Sequence, residues 1–266
     1  MNIIVRNNYD NPSKSYITKR NKKNDQEYWI YGINPVIAAL KNKSRECSRL
    51  VYTREVKQRY SSLFDELTLK KGILSEENSK EALNSLLTPY ARHQGVALKV
   101  KHLRKIKLED SLINFNNESI LIALDQINDP QNIGAIIRSS LVFGCAGIII
   151  PKNNSPDESG LLAKSASGAL EFTNIFRVSN LSRSLTNLKK NGFWIIGFDT
   201  EGENSINSTD FSGPIVVVMG SEGAGLRRLT KKNCDSTLSI PVSKKAINFG
   251  IESLNVSNAT SVALYA

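Results

Sequence analysis

The sequence predicts an α/β protein: a parallel sheet flanked by helices in the C-terminal part, preceded by a smaller α/β unit. Two apolar runs, ILIAL (Ile120 to Leu124) and PIVVVM (Pro214 to Met219), are unbroken, as strands covered on both faces are. Around them strand-like runs alternate with segments of helical periodicity, the pattern that builds a parallel sheet from crossover helices. Hydrophobic residues make up 40% and charged residues 23% of the 266, enough apolar material for one large domain or two modest ones.

Residues 1 to 27 are rich in Asn, Lys and Ser without hydrophobic periodicity, and read as a disordered basic tail, a candidate RNA-touching arm. Tyr28 to Tyr31 reads as a strand, Gly32 as a turn, and Asn34 as the cap of a helix whose first residue is Pro35. Arg49 to Thr53 is the next strand, and Glu55 to Lys70 an amphipathic helix with Val56, Tyr60, Leu63, Phe64 and Leu67 at helical spacing. A short strand at Gly72 to Leu74, a helix around Ser79 to Leu87 and a strand at Gly95 to Val100 complete the first unit, residues 28 to 100. Residues 101 to 117 read as a polar, basic linker with one helical turn, and the second unit fills residues 118 to 266. There a helix from Asp129-Pro130 to near Gly144 follows ILIAL. Next come a strand at Gly147 to Ile150, a helix over Glu158 to Ala169 and a strand over Phe172 to Val178. A helix capped by Asn180 ends at Gly192, before a strand at Phe193 to Phe198.

The formal net charge is +10, which attracts polyanions through neutralised phosphates and released counterions. Clustering of Lys14, Lys19, Arg20, Lys22 and Lys23, and of Arg92, Lys99, Lys101, Arg104, Lys105 and Lys107, favours nucleic acid over mere solubility. No apolar run approaches the ~20 residues that span a bilayer, and the N-terminus has no signal-peptide core. Cys47, Cys145 and Cys234 are isolated and read as reduced thiols of a cytoplasmic protein. His93 and His102 both lie outside the second unit, which argues against a Ser-His-Asp machine there and against a metal centre.

Three segments place polar residues beside core-like runs, each at the carboxyl end of a strand, where ligands of parallel sheets sit. In DPQNIGAIIRSS (Asp129 to Ser140) the helix is apolar nearly all round, which predicts burial, so the Arg138 guanidinium emerges from a buried element. Asn132 reads as a capping residue by default. In MGSEGAGLRRLT (Met219 to Thr230), Gly220, Gly223 and Gly225 permit a sharp turn, at the wrong spacing for a dinucleotide fingerprint or a P-loop. Glu222 in that turn is a candidate helix N-terminal charge. In the last segment Ser253 reads as the N-cap of a final helix rich in small residues, with Asn255 beside it.

In their order, Asn132-Ile-Gly134-Ala-Ile-Ile-Arg138, Gly220-Ser-Glu222-Gly-Ala-Gly225, and Ile240-Pro241 with Ser253-Leu254-Asn255-Val256-Ser257 resemble the three motifs of SpoU-type (TrmH-type) RNA ribose methyltransferases. YGINPVIAAL and RHQGVALKV resemble the small RNA-binding domain, akin to ribosomal protein L30e, of the family's rRNA branch, which acts on a guanosine ribose of large-subunit (23S) rRNA. The resemblance implies a SPOUT fold with a C-terminal trefoil knot, a homodimer and S-adenosylmethionine as methyl donor. It implies cofactor contacts from Gly220, Ile240 and Leu254, and polar active-site positions at Asn132, Arg138, Glu222, Ser253 and Asn255. Arg138 is often drawn as the family's base, whereas a guanidinium, charged at neutral pH, could instead fix a phosphate and stabilise a developing alkoxide; both roles stay open. The chain departs from the family at Val242, at Asn34, in the additional stretch SKKAIN before the last motif, and in its end at Ala266. The same chemistry on tRNA or another rRNA site, or an inactive RNA-binding protein on this fold, are the alternatives.

Overall fold

The computed structural model describes residues 26–202, 204–206 and 212–266. The predicted tail therefore lies outside the described residues up to position 25, and β1 (Glu27–Tyr31) begins within its last predicted residues. There follow α1 (Ile33–Lys41), β2 (Cys47–Tyr52), α2 (Arg54–Lys71), β3 (Leu74–Glu77), α3 (Lys80–Leu86) and β4 (Val96–Lys101). Together the four strands form a sheet of order β1-β4-β2-β3, antiparallel except for β2 with β3. Two expectations shift. The cap of α1 is Gly32 and Asn34 lies inside the helix, its amide free to reach Ser167 at 3.1 Å. The predicted strand at Gly72 to Leu74 starts at Leu74, because Gly72 terminates α2 in the left-handed conformation.

The stretch read as a linker contains α4 (Leu108–Ser111) and a 3-10 turn at Leu112–Asn114. Then come β5 (Ile120–Leu124), α5 (Pro130–Val142), β6 (Gly147–Pro151), α6 (Gly160–Ala166), β7 (Ile175–Val178), α7 (Leu181–Lys190) and β8 (Trp194–Phe198). After them run β9 (Asn204–Ser205), β10 (Ile215–Met219), α8 (Arg228–Lys231), β11 (Ser236–Ser239), α9 (Lys244–Asn248) and α10 (Val256–Tyr265). Among the described residues, β5 to β11 form a seven-stranded sheet of order β7-β6-β5-β10-β8-β11-β9, with every pairing parallel. The predicted helix from Glu158 to Ala169 is shorter: Ser167 turns left-handed at φ 51° and a 3-10 turn, Ala169–Glu171, delays β7.

Alternation along the strands explains the two buried faces. Ile122 and Leu124 join Ile133, Ile136 and Ile137 of α5 and Leu162 of α6 in one core. Leu121 and Ala123 point to the other, with Leu181, Leu185 and Leu188 of α7. Helices α5 and α6 touch closely because position 134 is Gly: a Cβ there would fall 2.5 Å from the Ser165 Cβ and 2.9 Å from backbone atoms of helix α6. The core on this face runs on into Ile30, Val36, Leu50 and Leu98 of the first unit, so the two sheets share apolar contacts. Polar contacts join them as well, through Arg45 to Glu171 and Glu158. The three described cysteines are free, and burial pushes Cys47 and Cys145 up to about 11 and Cys234 to about 12, which keeps them protonated at neutral pH.

Helix α5 corrects one expectation. Its first turns are buried as predicted, but Leu141, Val142 and Phe143 are exposed, Val142 by 73%. An all-round apolar helix is here buried on one side and open on the other. Among the described residues no helix is long and apolar enough to cross a membrane.

Candidate active site

The site stands at the carboxyl edge of the seven-stranded sheet. β5 and β10 are parallel neighbours in register from Ile120 with Ile215 to Leu124 with Met219, so the segments following them emerge side by side. Asp125, directly after β5, is fully buried and takes two hydrogen bonds from Arg227, from the backbone N at 2.9 Å and Nε at 2.7 Å, with Nη2 paired to it at 2.6 Å. A buried carboxylate is stable only when paired and hydrogen-bonded, and this one pins the loop after β10 to the end of β5. Sequence reasoning passed over both residues. The available signal was a carboxylate immediately after an unbroken apolar strand, a place where an unpaired acid would be costly.

Within that loop, Ser221 and Gly225 exchange backbone hydrogen bonds at 3.2 and 2.9 Å. A Cβ on Gly220 would lie 2.4 to 2.6 Å from the backbone of Gly225 and Leu226, so only glycine closes this turn. The turn presents Glu222 outward. Its Oε1 accepts from Asn132 Nδ2 at 3.2 Å, Asn255 Nδ2 at 2.7 Å and the backbone N of Val256 at 3.2 Å. Asn255 Nδ2 also reaches Asn132 Oδ1 at 3.0 Å. Three of the five predicted polar positions therefore meet, one from each segment.

Each holds a place that local structure explains. Asp129, not Asn132, caps α5, accepting from Gln131 N at 3.0 Å, which leaves the Asn132 amide to the cluster. Val256 is the first residue of α10, so Glu222 takes one of the N–H groups the helix cannot satisfy, as the predicted helix-terminal charge would. Asn255 is the N-cap, its Oδ1 accepting from Ser257 N at 3.0 Å. The expectation of Ser253 as N-cap is thus corrected: the helix starts later, and Ser253 is exposed without a hydrogen bond among the described residues. Arg138 is exposed too and makes no hydrogen bond or ion pair within the chain among the described residues. It does not join the cluster in its own chain.

The predicted cofactor residues lie around this cluster. Gly220 follows β10, Ile240 follows β11 and is half-buried against the core, and Leu254 precedes Asn255 with 43% of its surface exposed. The additional stretch SKKAIN forms helix α9, capped by Ser243 Oγ, with Ile247 exposed on it and Phe249 and Ile251 exposed after it.

A profile described as the SpoU rRNA Methylase family matches residues 119–265, more than half of the chain. The chain belongs to the SpoU rRNA methylase family. A second profile, RNA 2'-O ribose methyltransferase substrate binding, matches residues 29–105. Among SpoU relatives, the 23S rRNA (guanosine-2'-O-)-methyltransferase RlmB of Coxiella burnetii is 38% identical over 89% of this chain and 93% of its own. That of Xylella fastidiosa is 36% identical over 92% of this chain and 96% of its own. In fold, the SpoU methyltransferase AviRb from Streptomyces viridochromogenes, solved in complex with AdoMet, aligns with a TM-score of 0.73 at 24% identity, over 90% of this chain and 88% of its own. An rRNA methyltransferase from Sinorhizobium meliloti aligns with a TM-score of 0.74 at 24% identity, over 92% and 86%.

Proposed function

We propose that this protein transfers the methyl group of S-adenosylmethionine to the 2′-hydroxyl of a guanosine ribose in 23S rRNA, in the cytoplasm. The observation that carries the reading is the meeting of Asn132, Glu222 and Asn255, from three distant segments, on one carboxylate oxygen. RlmB relatives at 33 to 38% identity along most of the chain support the target.

S-adenosylmethionine supplies a methyl carbon already electrophilic through its sulfonium. The protein's task is then alignment and help with the hydroxyl proton. Gly220, Ile240 and Leu254 hold the donor through backbone groups and apolar walls. Glu222 and Asn255 fix the Asn132 amide between them, and its second N–H serves the ribose. Ser253, exposed beside them, contacts RNA. Arg138 holds the substrate phosphate or the developing alkoxide.

In its own chain Arg138 bonds to no member of the cluster among the described residues, and the reading takes it to serve the neighbouring site of a homodimer. Support comes from the exposed apolar residues of the same two helices: Val142 of α5, with Val262 and Tyr265 of α10. These helices already touch through Ser139 and Ser261 at 2.8 Å. A two-fold dimer buries such a self-complementary face. We take residues 28 to 100 as the L30e-like RNA-binding domain, 101 to 117 as linker and 118 to 266 as the SPOUT domain with its trefoil knot. The order in which β10 is inserted between β5 and β8 supports the knotted reading.

Mapping ribose methylation across total RNA with and without the protein tests the proposal. One 23S guanosine losing its 2′-O-methyl is the expected result, and an unchanged map overturns it.

A further inference from the structure

A cationic surface lies on residues that the cluster just described does not use. β7 is the edge strand of the large sheet, and the segment joining the two units runs beside it, with Ile106 bridged to Phe176. Between this segment, β7 and α7 opens a groove of about 1340 Å³. Small-molecule pockets span about 300–1,000 Å³, so the groove suits a polymer better. Its walls carry Arg104, Lys105, Lys107, Lys152, Arg183 and Lys190, all exposed and none with an acidic partner among the described residues.

The acids of the same walls are mostly engaged. Glu158 and Glu171 hold the buried Arg45, Glu27 holds Lys99 at 3.0 Å, and Asp157 faces Arg177 at 3.9 Å. Only Glu109 remains unengaged among the described acids of the groove. Unpaired cations from three separate segments, gathered in one concavity, repel one another, and a low-dielectric cleft focuses their field outward. A solvated basic face has no need to gather them. Phe172, 55% exposed, and Ile106, 41% exposed, add apolar surface among the charges.

We infer that this groove is a phosphate track that binds the backbone of the RNA substrate between the two units, with Phe172 as a stacking face for an unpaired base. The inference rests on the proposed function, whose substrate it places. Two features of the fold favour RNA over an acidic polypeptide. The groove is bordered by both units, with Tyr28 and Ser44 of the first on one side and β7 on the other. It also reaches the sheet edge that holds the candidate site: β6 and β7 run parallel to β5, so Lys152 and Ser179, just past their ends, lie on the edge that carries Asn132 and Glu222. From those ends the site lies further along the same edge, β5 being two strands from β7.

Binding of a 23S rRNA fragment, measured without methyl donor over a range of KCl concentrations, tests it. In an Arg104→Ser, Lys105→Ser, Lys107→Ser variant the Kd at about 100 mM salt rises at least about tenfold, and the slope of log K against log salt flattens by about two to three. The opposite wall, Lys152→Ser, Arg183→Ser, Lys190→Ser, gives an independent measurement of the same effect. The charge-preserving Lys105→Arg, Lys107→Arg variant keeps wild-type affinity, and retained S-adenosylmethionine binding certifies the fold of each variant. Unchanged RNA affinity and salt slope in both triple variants overturn the inference. So does a loss of binding to polyglutamate without loss of binding to RNA. If the wild type binds RNA through the groove yet transfers no methyl group, the proposed function fails and the track stands.

Discussion

Asn255 donates to Glu222 at 2.7 Å, joining the cap of the last helix to the turn after the central strand. The same carboxylate oxygen accepts from Asn132 and from the backbone of Val256, so one side chain aligns two amides and closes a helix end. Glu222→Ala removes the shared acceptor. Methyl transfer to rRNA is expected to fall roughly tenfold to a hundredfold, since small misplacements of positioning groups cost that much. Asn255→Ala removes the N-cap as well, at about 1 kcal/mol, which lowers Tm by about 2–4 °C. Glu222→Gln keeps an acceptor and should retain most of the thermal stability. Wild-type turnover by Glu222→Ala would separate the cluster from the chemistry.

Arg138 is exposed and has no partner among the described residues of its own chain, so its removal should cost the fold no more than about 0.5 kcal/mol. Arg138→Ala is expected to abolish methyl transfer while S-adenosylmethionine binding survives. If the residue serves the neighbouring subunit, mixing Arg138→Ala with Glu222→Ala restores activity, because a mixed dimer holds one site with both groups intact. Random mixing then returns about a quarter of wild-type activity. A mixture as inactive as its parents would place Arg138 in its own subunit's site or outside the mechanism.

The large sheet was legible because its central strands are extreme: β5 carries the predicted bounds, and β10 begins one residue later than predicted. The meeting of Asn132, Glu222 and Asn255 was foreseeable only through motif resemblance, since each alone reads as a cap or a turn. β11 was implied before Ile240 but given no bounds, because STLS is short and polar and gains its place by pairing with β8. Helix α5 misled because periodicity measures apolar content and not what covers it: the exposed Val142 has the same hydrophobicity as a buried one. Arg45 carried no signal at all. In SRECSR it is one cation among others, and its burial depends on two glutamates more than a hundred residues away.

That buried arginine ties the two units. Its Nη2 lies 2.6 Å from Glu171 Oε1 and its Nη1 3.1 Å from Glu158 Oε2, with Arg45 and Glu171 side chains 0% and 2% exposed. Burial works against its charge, but the hydrogen bond to Glu171 and the charges around it prevail and hold the guanidinium firmly protonated. Breaking such a pair from one side leaves a buried charge without its partner. Arg45→Ala is expected to cost about 3–5 kcal/mol in urea unfolding, whereas Arg45→Met with Glu171→Leu recovers most of that loss. A single variant as stable as the wild type would show that the pair does not tie the units.

His93 gives the fold a pH dependence of predictable sign. Its Nδ1 accepts from the backbone N of Gly95 at 3.0 Å, so in the neutral ring Nε2 carries the proton and donates to Asn84 Oδ1 at 3.0 Å. Protonation puts a second N–H against that of Gly95 and breaks the bond. Burial first, then the charges of Lys80 and Lys164, lower its pKa below the ordinary value. The folded protein therefore binds fewer protons than the unfolded chain between the two pKa values, and stability is lost as pH falls through that window. The window opens near the unfolded value of about 6.5 and extends downward. Unfolding free energies from urea titrations at about pH 7.5 and about pH 5.5 should decline more steeply in the wild type than in His93→Gln, which cannot titrate there. Equal declines in the two proteins would show that His93 is not the group responsible.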